Sequence, residues 1–141
     1  MGTDKQHRMD RLIHSIRKLK NNISTHIPNH GWTEVFDREV KPRKIIIVEG
    51  YLLFVNKELA NLFDKKMWVE VSDINLLRRR TKRYSGHGGN DYTEKIGYIV
   101  NVVIPESKKY EKLQRERADV IVNGNNSKEQ IRKDVERHMR Q

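Results

Sequence analysis

Cysteine is absent from this 141-residue chain, which excludes disulfides, zinc–cysteine centres and thiol nucleophiles together. No apolar run approaches the roughly 20 residues that a membrane-crossing helix needs, and the block at 45–48 is strand-sized. The opening MGTDKQHRMD holds no apolar h-region, so secretion is not expected. Gln6 stands where a myristoylation pattern wants Ser or Thr. Negative charge is in short supply: 19 acidic residues face 29 Lys and Arg, for a formal charge of +10. A cytoplasmic chain with anionic partners is expected, whether nucleotides, nucleic acid or an acidic surface.

What is present supports one modest core. Hydrophobic residues make up 35% and charged residues 34%, a lean mixture that is still richer than disordered chains carry. The length allows one small domain.

Periodicity organises most of it. Met9, Leu12, Ile13, Ile16 and Leu19 recur at helical spacing, so 9–20 is expected to form an amphipathic helix that Asn21 and Asn22 end. The stretch 23–40 fits a short hairpin or an irregular loop. KIIIVE at 44–49 has four consecutive β-branched residues between Pro42 and Gly50, the pattern of a parallel strand buried on both faces. Asn56 then caps a short helix, MWVEV at 67–71 is a second strand, and Ser72 caps a helix carrying an arginine run.

GHGGN at 86–90 reads as a flexible break. A helical pattern from about 92 to 115 contains Pro105, where a kink is expected. ADVIV at 118–122 is a third strand, and Ser127 with Gln130 forms a capping box for a last helix carrying Ile131, Val135 and Met139 on one face. Strands alternating with helices in this way argue an α/β fold with a parallel sheet.

Several residues invite a functional reading. Glu49 ends its expected strand, and a carboxylate there faces the crevice where open α/β sheets bind ligands. The plainer alternative is a strand-end glutamate in solvent. Arg79 and Arg83 are i,i+4 neighbours and Arg80 is i,i+3 from Arg83, so their guanidinium forks share adjoining helix faces suited to phosphate oxygens. The same run, RRRTKR, also fits a solvated basic face or a nucleic-acid patch. GHGG is not a phosphate-binding loop, because no Gly-Lys-Ser/Thr follows it, and His87 reads as a surface residue. His7, His14, His26, His30 and His138 show no metal-ligand spacing, and Trp32 and Trp68 read as packing residues.

Three stretches in order, IIIVEGYLLF at 45–54, NLLRRRTKRY at 75–84 and ADVIVNG at 118–124, resemble the uridine kinase and phosphoribulokinase branch of the P-loop kinases. EGYLLF and RRRTKRY are also similar to nicotinamide riboside kinases, a sister group. The resemblance runs from Met9 onward, with Pro105 and Tyr110 matching a proline and an aromatic before the last strand.

It implies a three-layer parallel sheet of the P-loop kinase type and transfer of the ATP γ-phosphate to a nucleoside or ribosyl hydroxyl. It further implies ATP and Mg²⁺ as cofactors, with Glu49 the acid that holds Mg²⁺ through water and Arg79, Arg80 and Arg83 the phosphate-binding lid, within about 73–92. Arg38 stands nearest to the family's substrate-binding arginine, although displaced.

G-x-x-x-x-G-K-[ST] occurs nowhere in the chain. The expectation is therefore a single incomplete domain over 1–141 that lacks the first and second strands and the phosphate loop with them. Autonomous kinase activity is not expected, because that loop supplies much of the positioning and electrostatic stabilisation. In the family the first strand lies between those resembling 45–48 and 67–71. The chain is then a fragment, half of a split enzyme, or a degenerate homologue. Its expected partners are a chain supplying the missing half or a second copy through exposed strand edges. The alternative is a non-catalytic basic module that binds nucleic acid or a partner protein.

Overall fold

The apolar stripe of 9–20 does form a helix, and in the computed structural model, which describes residues 2–30, 35–85 and 96–140, it belongs to the longer α1, Gly2–Lys20. Its end is set by Asn22, which adopts φ 61°. The Ile23 N–H reaches back to the Lys18 carbonyl and the Asn22 N–H to that of Leu19, at 2.9 and 3.1 Å. This is a Schellman closure with asparagine in the left-handed position, which its short polar side chain tolerates.

Strands β1, Thr25–His30, and β2, Val35–Val40, follow as an antiparallel hairpin with Thr25 opposite Val40 and Ile27 opposite Arg38. Helix α2, Lys57–Leu62, starts where Asn56 accepts the Leu59 N–H on its side-chain oxygen at 2.9 Å. Ile13 and Ile16 of α1 and Leu59 of α2 form the buried centre, with Leu12, Val48, Leu53 and Phe63 packed around it. Phe54 and Phe63 meet edge to face at 6.1 Å. Arg17–Glu58 and Lys20–Asp64 add exposed ion pairs, each worth under about 1 kcal/mol. These elements make up the first of two compact units, residues 1–64.

The KIIIVE segment does not form the expected strand. Residues 45–50 lie outside helix and strand, and Ile45, Ile46 and Ile47 are 58%, 39% and 74% exposed. Only Val48 reaches the core. A β-branched run becomes a buried parallel strand only when neighbours take its N–H and C=O groups on both sides. Among the described residues no strand pairs with it.

In the second unit, residues 65–141, strand β3, Met67–Glu70, pairs in parallel with β4, Val120–Asn123, in the register Met67–Val120 to Glu70–Asn123. Among the described residues the chain is thus α/β with a small parallel sheet of two strands rather than the larger sheet expected, and the hairpin is a separate antiparallel sheet. Between β3 and β4 run α3, Asp73–Ser85, a π-helical turn, Ile99–Val103, and α4, Ile104–Arg117.

That π turn lies just before Pro105, the position where a kink is expected. The Ile104 N–H bonds the Ile99 carbonyl five residues back, and Pro105 enters α4 in its first turn, where a missing N–H is tolerated. Ile99 and Val122 are buried.

Helix α5, Lys128–Met139, begins with half of the expected capping box. Ser127 Oγ accepts the Gln130 N–H at 3.2 Å, while the Gln130 side chain turns forward to Asp134. The GHGGN break, His87 and Trp32 lie outside the described residues.

Candidate functional site

Helix α3 carries the arginine run, and its start is held by one side chain. Asn125 Oδ1 accepts from the Ser72 N–H at 3.0 Å, the Ser72 hydroxyl at 3.0 Å and the Asn75 amide at 2.9 Å. Ser72 does sit at the helix start, since its carbonyl accepts the Leu76 N–H, but its hydroxyl turns to Asn125. Asn125 is itself set by its N–H on Asn123 Oδ1, just beyond β4. The strand end therefore fixes where α3 begins, and with it the direction of the arginines.

Two further ion pairs brace this unit. Lys108 of α4 pairs with Asp73 in the first turn of α3, and that hydrogen bond and charge hold the ammonium pKa above its ordinary value. Arg115 pairs with Glu70 at the C-terminal end of β3, at 2.9 Å. Asn125, Lys108 and Arg115 were not singled out in the sequence.

Arg79 and Arg83 are exposed one helical turn apart, Arg80 is half-buried and Arg78 is exposed. Arg83 already engages another group. An exposed guanidinium keeps its fork for an incoming anion, and Arg79 is the clearest case here. The lid expected over 73–92 is described as far as 85.

Glu49 and Arg38 belong to the first unit. Glu49 is exposed in the irregular segment rather than at a strand end, so no sheet crevice lies beside it among the described residues. Gly50 follows it, and a Cβ there would press Leu53 at 3.2 Å. Arg38 is exposed on β2.

Among the described residues no three His, Asp or Glu side chains gather as a metal site. Mg²⁺ relies on carboxylates together with substrate phosphates, so one carboxylate such as Glu49 is at most part of such a site. No described helix is long and apolar enough to cross a membrane.

Comparison with known proteins decides the ancestry. The sequence model of the phosphoribulokinase/uridine kinase family matches residues 3–130. The chain belongs to that family. A uridine kinase from Chlamydia pneumoniae is 32% identical over 123 residues, covering 82% of this chain and 54% of that protein. Uridine kinases from Staphylococcus epidermidis and Staphylococcus aureus are each 29% identical, covering 80% of this chain and 56% of theirs. The chain thus spans about half the length of the curated relatives it matches.

Both strands of the parallel pair, β3 in MWVEV and β4 in the ADVIVNG stretch of the resemblance, lie inside the matched region. The arginine run lies inside the matched region as well.

Proposed function

We propose that this chain is the lid-bearing part of a uridine kinase-like phosphotransferase and becomes catalytic only with a phosphate loop supplied from outside these 141 residues. The completed enzyme moves the γ-phosphate of ATP to a nucleoside or ribosyl hydroxyl, releasing ADP. The observation that carries this reading is the family match over 3–130 in a sequence without G-x-x-x-x-G-K-[ST].

In that assembly Arg79, Arg80 and Arg83 neutralise charge on the transferring phosphoryl group, where arginine forks suit its oxygens. Glu49 is the acid that approaches the phosphate-bound metal through water once 45–48 gains its strand neighbours, and Arg38 contacts the substrate. The exposed isoleucines of 45–47 support the strand requirement, because an incoming strand would cover them.

Mixing the chain with the N-terminal half of a uridine kinase carrying the phosphate loop tests this. ATP-dependent phosphorylation of uridine is expected from the mixture and from neither part alone.

A second reading is a basic nucleic-acid module without catalysis. It is favoured by the exposed Arg78 and Arg79 and the +10 charge. RNA affinity falling steeply with salt would support it, and no binding at low salt would end it.

A further inference from the structure

Helix α1 has a second stripe besides its apolar one. Arg11, His14, Ser15 and Lys18 recur at i, i+3, i+4 and i+7 and so share one face of the helix. That face and the start of β1, Thr25 and His26, line a cleft of about 420 Å³. The size lies within the roughly 300–1,000 Å³ common to small-molecule sites. The cleft belongs wholly to the first unit and uses neither Glu49 nor Arg38.

Its chemistry is biased towards anions. Arg11 and Lys18 stand two helical turns apart, about 10 Å along the axis. Among the described residues neither is joined to a carboxylate by an ion pair, and Asp10 is the one acid in the lining. His14 and His26 add an imidazole from each wall. At the floor, Ser15 and Thr25 are 7% and 4% exposed, and Thr25 Oγ1 donates to Ser15 Oγ at 3.3 Å. Only one of the two hydroxyl protons is used between them, so the other is open to a ligand oxygen. Two cations, a donor hydroxyl and two imidazoles around one carboxylate match a dianion better than a single carboxylate.

We propose that this cleft binds the phosphate group of a small phosphate monoester, with Arg11 and Lys18 as its charge partners and Ser15 as a hydrogen-bond donor. Binding here does not require phosphoryl transfer, so it stands or falls apart from the kinase reading.

The test is NMR titration of the full chain, following the His14 and His26 ring signals, with inorganic phosphate, uridine 5′-monophosphate, uridine and acetate as probes. Saturable shifts are expected with the two phosphates and weak or no shifts with uridine and acetate. R11Q/K18Q should weaken phosphate binding at least about tenfold while leaving the rest of the spectrum folded. R79Q/R83Q should leave the ring shifts in place. Absence of saturable shifts, equal binding of uridine or acetate, or undiminished binding by R11Q/K18Q would each overturn the proposal. So would loss of the ring shifts in R79Q/R83Q, which would place the anion on α3.

Discussion

The Asp119 carboxylate accepts both the backbone N–H and the ammonium of Lys66, at 2.7 and 3.1 Å, while the Lys66 carbonyl accepts the Asp119 N–H at 2.8 Å. This two-way clasp closes the open end of the parallel pair and sets Met67 against Val120. Burial disfavours the charged carboxylate, but the Lys66 N–H and ammonium outweigh it and hold the Asp119 pKa below its ordinary 3.8.

Asp119→Asn should therefore cost less than about 1 kcal/mol, because the side chain is 44% exposed and solvent screens the pair. A depressed carboxylate contributes stability that is complete above its unfolded value and is lost as pH falls through its folded one. Urea denaturation should show a constant gap between wild type and variant above about pH 5, closing in acid below the ordinary 3.8. A gap that widened in acid would contradict the clasp.

Gly124 tests the strand end. A Cβ there would lie 2.5 Å from Val71 Cγ2, 2.7 Å from Val69 Cγ1 and 2.9 Å from the Glu70 carbonyl, which also accepts the Gly124 N–H at 2.8 Å. A backbone oxygen in a ladder has nowhere to swing. Gly124→Ala is expected to destabilise by about 1–3 kcal/mol, read as a lower urea midpoint with an unchanged m-value.

Asn125→Ala removes the acceptor shared by Ser72 and Asn75. A loss of about 1–2 kcal/mol is expected, with hydrogen exchange accelerating first at the start of α3. Protection unchanged at Ser72 would show that the helix start is held by other contacts.

Ile47 separates the stability of the chain from its proposed assembly. At 74% exposure, Ile47→Lys should change the stability of the chain alone by less than about 0.5 kcal/mol. If 45–48 pairs with an incoming strand whose faces become buried, the same change should abolish complementation by the phosphate-loop half. Full complementation by the variant would remove this segment from the interface.

The parts of the fold legible in the sequence are those set locally. The stripe from Met9 to Leu19, the Asn56 and Ser127 caps and the two strands around Trp68 and Ile121 follow from side-chain period and cap chemistry within a few residues. The run at 45–48 has the composition of a strand but not the structure of one, because composition records β-propensity, whereas a strand needs a partner.

The candidate site was legible to the extent that its arginines stand on one helix. What aims that helix was not, because Asn125 reaches Ser72 across 53 positions and a polar turn looks the same whether or not it bonds. Pro105 signalled a disturbance, but the π turn just before it is a choice of hydrogen-bond register that no residue type announces.

The most direct test of the central claim is uridine phosphorylation by this chain with ATP and Mg²⁺, measured alone and with the phosphate-loop half of a uridine kinase added. No turnover is expected from either part, turnover is expected from the mixture, and a loss of at least about tenfold is expected when Arg79 and Arg83 are both changed to Gln. Turnover by the chain alone would contradict the claim.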